Sequence, residues 1–201
     1  MEEQQDRARM ARKLQSMGGW ILASHSRMTG RFLCASFAAT VSLAEASAAQ
    51  TEIERGKYLV QLGGCSDCHT PGTFLGHPDA ARFLGGSDVG FAIPGLGVFP
   101  GRNLTPDKET GLGNWTVEQI VHAMTTGQRP DGRQLAPVMP YQAFSNLEAS
   151  DALAIAAYLK SLPPIKNAVP GPFGPNDKPT TFVFVVTPAE VYNAMPKPGG
   201  K

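Results

Sequence analysis

The chain has little of what several common protein classes require. Only three of its 201 residues are cysteine, and beyond Cys65 and Cys68 no second Cys or His pair stands at the short spacing of a structural zinc site. Its 18 lysines and arginines nearly balance its 17 aspartates and glutamates, which excludes a strongly basic nucleic-acid-binding protein. Internal repeats, a glycine-rich phosphate-binding loop and a hydrolytic constellation are also absent from the sequence.

Long hydrophobic runs are lacking too. The apolar stretch at residues 32–44 is too short to cross the roughly 30 Å hydrocarbon core of a bilayer. It follows a basic residue and precedes a group of small residues where a signal peptidase would cut. We therefore interpret residues 1–49 as an N-terminal extension and secretory signal that the mature protein lacks, together with Cys34, and we expect translation to begin at Met28. No transmembrane helix would then be retained. The alternative interpretation of this apolar stretch is a short membrane anchor that stays attached to the protein.

Glycine and proline are abundant instead. The 22 glycines and 17 prolines predict that much of the chain is loop rather than regular helix or sheet. With 42% hydrophobic residues, the composition suits one globular domain of modest size. We expect this domain at residues 50–164, followed by a proline-rich C-terminal arm at residues 165–201. The arm contains TTFVFVV, which is long enough for one strand, and either docks on a partner protein or folds back across its own domain.

The motif GGCSDCHTPG, residues 63–72, places a histidine directly behind the second of two cysteines. A structural zinc site needs four ligands, and the sequence offers no second Cys or His pair to complete the set. A thioredoxin-like disulfide needs a strand-to-helix turn, whereas the residues before this motif look helical and those after it look like loop. Covalent haem fits best: Cys65 and Cys68 would add across the haem vinyl groups, and His69 would be the proximal iron ligand. For the second ring nitrogen of His69 we expect a backbone carbonyl near Pro71 as acceptor.

An electron-carrying haem needs a second axial ligand, and three methionines follow the signal segment. Met124 recurs with apolar neighbours on one face of a predicted helix, which is typical of a core position, and Met195 lies in the proline-rich tail. Met139 stands in LAPVMPYQAF between two prolines, which stiffen the loop and hold a sulfur at a set place. Met139 is therefore the predicted distal ligand, with His122 and His77 as the next candidates. A thioether ligand favours Fe(II) and raises the reduction potential.

Periodic apolar residues predict three helices. The first covers Glu52–Leu62, where Gly56 would admit another helix at close range. The second begins with a capping box formed by Thr116 and Gln119 and ends at a glycine. The third covers about 148–162 and ends at two prolines.

These features resemble a class I cytochrome c domain: a helix ending in C-x-x-C-H, a loop methionine followed by proline and an aromatic residue, and a closing helix in LEASDALAIAAYLKSLPP. The segments GRNLTPDKETGLGNWTVEQIVHAM and MPYQAFSNLEASDALAIAAYLKSLPP are similar to the repeated haem domains of cytochrome c subunits of bacterial periplasmic alcohol, gluconate and aldehyde dehydrogenases. The resemblance covers residues 52–164. It implies a small, mainly α fold with several helices around one covalent haem c and long Gly- and Pro-rich loops. Those subunits often carry three such domains, whereas this chain has one C-x-x-C-H, so a subunit and a free carrier both fit.

The resemblance implies a monohaem electron-transfer protein of the periplasm rather than an enzyme. Its partners would be a dehydrogenase as electron donor and an oxidase or another cytochrome as acceptor. The alternative is a haem enzyme or a gas- or peroxide-binding haem protein with an open distal site, in which Met139 is not a ligand. A dihaem peroxidase would need a second C-x-x-C-H, which the sequence lacks.

The long segment at residues 73–113 is rich in glycine and lacks periodicity, which predicts a functional loop that wraps around the haem. Arg102, Asn103 and Trp115 are the candidates for contacts with the haem propionates, arginine through its charge and tryptophan through its indole N–H. The alternatives to these contacts are equally open: Arg102 would be solvated, and Trp115 would only be part of the core.

Overall fold

The computed structural model of the protein describes residues 51–196. The predicted extension and signal segment, with Met28 and Cys34, lies outside the described residues, as do residues 197–201. Among the described residues, no helix is both long enough and apolar enough to cross a membrane. In chain order the helices and strands are α1 (51–62), α2 (Cys65–His69), β1 (Val89–Ile93), β2 (Gly97–Pro100), α3 (Val117–Thr126), α4 (Tyr141–Phe144), α5 (Ala149–Ser161), β3 (Phe182–Phe184) and α6 (Ala189–Ala194).

Helix α3 begins and ends where the sequence predicts. Thr116 Oγ1 accepts a hydrogen bond from the backbone N–H of Gln119 at 3.2 Å, and Gln119 Oε1 accepts one from the N–H of Thr116 at 2.9 Å. This reciprocal pair satisfies two N–H groups that no helical carbonyl reaches. Gly127 ends the helix with φ 79°, a left-handed conformation that glycine adopts without strain. The predicted capping box and helix end are therefore confirmed.

The hydrophobic core lies where α1, α3 and α5 meet. Burial of each large apolar side chain contributes roughly 1.5–3 kcal/mol to stability. Met124 is 8% exposed and belongs to this core, so its predicted core position is confirmed. The buried members are Leu59, Val60, Leu84, Ile120, Met124, Ala152, Ile155, Ala156, Tyr158 and Leu159.

Helices α1 and α5 make close contact at Gly56. A Cβ atom on this residue would overlap the carbonyl oxygen of Ala154 and would lie 2.8 Å from the Cβ of Tyr158. Two helix backbones come this near only where one residue has no Cβ. The close approach that the sequence predicts at Gly56 is therefore confirmed.

We expect Gly56→Ala to lower the free energy of unfolding by about 1–3 kcal/mol, because the added methyl group has no space between the two helices. This effect opposes the gain of up to about 1 kcal/mol that alanine brings to a helix interior. Urea unfolding of the haem-loaded protein measures the difference. Lys57→Ala, at an exposed position of the same helix, is the control and should change stability by less than about 0.5 kcal/mol. A Gly56→Ala protein as stable as the wild type would contradict the close contact.

The strands form one three-stranded sheet in the order β2-β1-β3. Strand β1 pairs antiparallel with β2 and parallel with β3, so that Phe91 stands opposite both Phe99 and Phe184. The prediction that residues 73–113 lack regular structure is wrong, because β1 and β2 lie within them. Along β1 and β2, buried and exposed residues do not alternate. The period of two by which a strand is recognised in a sequence is therefore missing. The available signal was VGFAIPGLGVFP, in which β-forming residues flank a Pro- and Gly-rich turn.

The C-terminal arm folds back across the domain. Strand β3 belongs to the arm, and Phe173 is bound to Val98 by two backbone hydrogen bonds of 2.9 Å. The rings of Phe74, Phe91 and Phe184 pack together with centroid separations of 5.4–6.0 Å. Of the two alternatives for the arm, the described residues therefore show packing on its own domain, although the valines after β3 remain exposed.

Candidate haem site

Helix α2 carries the C-x-x-C-H motif in little more than one helical turn. It starts after Gly64, whose φ of 61° lies in the left-handed region that favours glycine. Cys65 and Cys68 stand three residues apart and therefore share one face of the helix. Neither cysteine forms a disulfide, and both are half-buried. His69 follows directly and is buried, so a single turn presents two free thiols with an imidazole beside them.

The surroundings of the two thiols keep them protonated. Burial raises the pKa of Cys65 to about 11 and also raises the pKa of Cys68, to which the negative charge of Asp67 adds. A redox-active cysteine pair instead has a lowered thiol pKa and an electropositive environment. The disulfide interpretation of the motif therefore receives no support from the site.

A backbone carbonyl orients the ring of His69. Nδ1 lies 2.7 Å from the carbonyl oxygen of Arg102, and because a carbonyl only accepts hydrogen bonds, Nδ1 carries the proton. Burial lowers the pKa of His69, so the imidazole stays neutral and Nε2 keeps its lone pair for a metal. The predicted acceptor near Pro71 is wrong. The carbonyl comes from a residue 33 positions further along the chain, where no local pattern indicates it.

Two backbone segments pack against α2 on the histidine side. The N–H of Gly86 donates to the carbonyl of His69 at 2.8 Å, and Thr70 Oγ1 accepts from the N–H of Leu84 at 2.9 Å. A Cβ atom on Gly101 would overlap the carbonyl oxygen of the second motif cysteine, an approach that only glycine permits. Leu84 is fully buried with φ 57°, which is unusual for a residue with a side chain. The backbone around His69 is therefore closely fixed.

Met139 lies in the turn that precedes α4. Its N–H donates to one backbone carbonyl at 2.9 Å and its own carbonyl accepts from another N–H at 2.8 Å, so its backbone is fixed on both sides. At the far end of α4, the ring of Phe144 lies 3.9 Å from the place where a Cβ of Gly63 would stand, and Cys65 Sγ lies 3.7 Å from the same place. Helix α4 and the motif are therefore neighbours. Ligation by Met139 stays a prediction.

The two histidines that compete with Met139 are both exposed. His122 is on α3, and its Nε2 lies 3.2 Å from Gln128 Oε1. His77 follows the short 3-10 turn Thr73–Leu75. A ligand role for either residue also stays a prediction.

Arg102 and Asn103 are both bound to the C-terminal arm. Nη1 of Arg102 donates to three arm carbonyls. The amide nitrogen of Asn103 donates to Thr110 Oγ1 at 3.0 Å and to the carbonyl of Ile165 at 2.6 Å, while its oxygen accepts from the N–H and hydroxyl of Thr105 at 2.9 and 2.7 Å. Contact with a propionate stays a prediction for both residues, and for Asn103 it would require one of these bonds to break.

A cluster of arginines stands near Trp115, which is half-buried against the core. The guanidinium of Arg129 lies 5.3 Å from the centroid of the indole ring. Arg129 and Arg133 both pair with Asp131, at 3.2 and 2.8 Å. Burial lowers the pKa of Arg102, and the charges of these two arginines lower it further. Sequence analysis missed Arg129 and Arg133, for which GQRPDGRQ gave only a turn signal.

Comparison with known proteins decides the family. Residues 53–163 match the cytochrome c family, which is more than half of the 201 residues. The chain belongs to the cytochrome c family. The fructose dehydrogenase cytochrome subunit of Gluconobacter japonicus is 38% identical to this cytochrome c chain over 135 residues. That alignment covers 64% of this chain and 26% of the subunit.

Two further relatives extend the comparison. The cytochrome c subunit of the quinone alcohol dehydrogenase of Gluconobacter oxydans is 37% identical over 106 residues, which are 53% of this chain and 20% of the subunit. A diheme c-type cytochrome of Cereibacter sphaeroides is 31% identical over 117 residues, which are 58% of this chain and 38% of the relative. The predicted resemblance to dehydrogenase cytochrome subunits is thereby confirmed, and the chain spans about a quarter of the length of the fructose dehydrogenase subunit.

The side chains of this cytochrome c domain fit a covalently attached haem c. Two free thiols on one helical face match two vinyl groups, and His69 offers a neutral Nε2 beside them. Within residues 51–196, no three His, Cys, Asp or Glu side chains stand together so as to hold a metal ion by themselves. The zinc interpretation therefore lacks a ligand set in this part of the chain.

Proposed function

We propose that this cytochrome c chain binds one haem c and transfers single electrons in the bacterial periplasm. One observation carries the proposal. The bond from His69 Nδ1 to the carbonyl of Arg102 leaves Nε2 as the ligand atom, on the same short helix as the thiols of Cys65 and Cys68. A haem iron held there supplies a one-electron change between Fe(II) and Fe(III). The two thiols would fix its edge, and His69 would bind it from the proximal side.

In this proposal Met139 would be the second protein ligand of the haem iron. Its backbone is fixed by hydrogen bonds on both sides, and the helix that follows it lies beside Cys65. A sulfur presented in this way would fill the distal position and exclude oxygen and peroxide. The chain would then act as an electron carrier and not as an enzyme. His122 and His77 are less suited, because both are exposed.

The proposed architecture is the mainly α class I fold around one haem. Helix α1 leads into the motif and crosses α5 at Gly56, which supports this arrangement. Arg102, Asn103 and Trp115 remain the proposed propionate contacts. The cluster with Arg129 and Arg133 supports a propionate position on that side, because guanidinium groups bind carboxylates strongly.

The proposed electron donor is a dehydrogenase, and the proposed acceptor is an oxidase or another cytochrome. The relatives support a dehydrogenase partner, since two of them are cytochrome subunits of fructose and alcohol dehydrogenases. The basic, apolar and small-residue pattern up to residue 49 supports export to the periplasm. The near balance of charge over the chain gives no reason to expect nucleic acid as a partner.

We expect the haem-loaded chain to contain one haem per polypeptide and to titrate as a single one-electron centre. The ratio of pyridine haemochromogen absorbance to protein concentration gives the haem count, and spectroelectrochemical titration gives the number of electrons. A dehydrogenase that co-purifies from the native periplasm should reduce this haem when it receives its own substrate.

Three results would contradict the haem count, the carrier function and the electron donor of this proposal, respectively. Two haems per chain would contradict the monohaem assignment. Rapid turnover of hydrogen peroxide by the wild-type protein would favour the haem-enzyme alternative. A co-purified dehydrogenase that oxidises its substrate without reducing the haem would exclude that enzyme as the donor.

A further inference from the structure

Arg102 connects the C-terminal arm to the proposed iron ligand His69. The carbonyl oxygen of Arg102 lies 2.7 Å from His69 Nδ1. The side chain of the same arginine extends to the arm, where Nη1 donates to the carbonyls of Val169 at 2.7 Å, Gly171 at 2.9 Å and Pro170 at 3.3 Å. Arg102 therefore contacts the histidine with its backbone and the arm with its side chain.

The arm segment that accepts these bonds is itself fixed. Val169 is only 6% exposed. The side-chain amide of Asn167 donates to the carbonyl of Gly85 at 2.8 Å, and Phe173 exchanges two backbone hydrogen bonds with Val98. The guanidinium of Arg102 is thus held by an ordered partner that is bound to the domain on both sides of the contact.

The residues on either side of Arg102 are also held by hydrogen bonds, one to the domain and one to the arm. The carbonyl of Gly101 accepts from the N–H of Ser87 at 2.8 Å. The side chain of Asn103 binds the carbonyl of Ile165 in the arm at 2.6 Å. The carbonyl that meets His69 is therefore presented by a segment that is bound both to the domain and to the arm.

We propose that Arg102 is a positioning residue for His69. Its guanidinium binds residues 101–103 to the arm and so keeps the carbonyl of Arg102 hydrogen-bonded to the Nδ1 proton of His69. The arm is thereby part of the proximal side of the haem site. This inference rests on the proposed function in that His69 must be an iron ligand. The partner of Nδ1 sets the basicity of a histidine ligand, so the arm also influences the reduction potential.

Exchange of the His69 Nδ1 proton with solvent tests the proposal. The proton is observed by NMR in the haem-loaded, reduced protein with 15N-labelled histidine, with carbon monoxide added if the sixth position is open. In Arg102→Met we expect this exchange to be about tenfold faster or more, because hydrogen bonds from a charged donor that restrain local opening are lost. Exchange of the Leu159 amide in the α5 core should stay as in the wild type, which separates a positioning role from general loosening.

Two variants serve as controls. Arg82→Met removes an arginine of the same size whose side chain pairs with Asp79, and it should leave exchange at His69 unchanged. Arg102→Lys keeps the charge and one donor group, and it should give an intermediate rate. The proposal would be overturned if the His69 Nδ1 proton of Arg102→Met exchanged at the wild-type rate. It would also be overturned if Arg82→Met accelerated this exchange as much as Arg102→Met does.

If Arg102→Met yields no folded haem protein, Arg102→Lys decides, because it keeps the charge but loses the guanidinium that reaches three arm carbonyls. Faster exchange at His69 than in the wild type supports the proposal, and an unchanged rate overturns it. A wild-type chain that holds no haem would overturn the proposed function and this inference together, whereas unchanged exchange in a haem-loaded variant overturns this inference alone.

Discussion

A Cys65→Ser/Cys68→Ser double variant should lose covalently bound haem completely, and each single variant should retain it only weakly. Thioether bonds to Cys65 and Cys68 would survive unfolding, whereas the bond from His69 to iron would not hold haem on a denatured chain. The wild-type haem should therefore stay with the polypeptide through denaturing gel electrophoresis and extraction with acidic organic solvent. Haem staining of the gel and the absorbance of the extract measure both outcomes.

Cys34→Ser is the matched control, because we expect Cys34 to be removed with the signal segment. This variant should load haem as the wild type does. Haem that extracts freely from the wild-type protein would show that covalent attachment is wrong. Full haem retention in the double variant would lead to the same conclusion.

Local signals in the sequence were sufficient for the three long helices α1, α3 and α5 but not for the partner of His69. The capping box of Thr116 and Gln119 lies within four residues, and its effect on the backbone does not depend on the rest of the fold. Gly56 was informative because glycine costs a helix up to about 1 kcal/mol, so its presence indicates a packing reason. The acceptor for His69 Nδ1 is 33 residues away. Tertiary packing alone brings that carbonyl to the ring.

The C-terminal arm and the strands β1 and β2 show the same limit of sequence analysis. Strands β1 and β2 lack alternating burial, so their hydrophobic residues gave no period by which to recognise strands. TTFVFVV was recognised as strand-forming, but its parallel pairing with β1 joins residues about ninety positions apart. The arginine contacts of the site were hidden for a similar reason. The side-chain contacts of Arg102 form only because the arm returns to it.

Met139→Ala should open the distal side of the haem and convert the ferric protein from low spin to high spin. Alanine has no atom that reaches the iron, and a lost thioether no longer favours Fe(II). The reduction potential should fall by on the order of 100 mV, a modest part of the roughly 0.8 V that axial ligands span. The reduced variant should also gain affinity for carbon monoxide. Absorption spectra, spectroelectrochemical titration and carbon monoxide binding measure the three effects.

Met124→Leu is the control for this experiment, because Met124 is 8% exposed in the core and a volume-conserving exchange there costs less than about 1.5 kcal/mol. Its spectrum, potential and carbon monoxide binding should match the wild type. If Met139→Ala stays low-spin with an unchanged potential, the sixth ligand is another residue, and His122 and His77 become the candidates. If the wild-type protein itself is five-coordinate and binds carbon monoxide rapidly, the carrier function fails, because an open distal site is what a gas- or peroxide-binding haem protein requires.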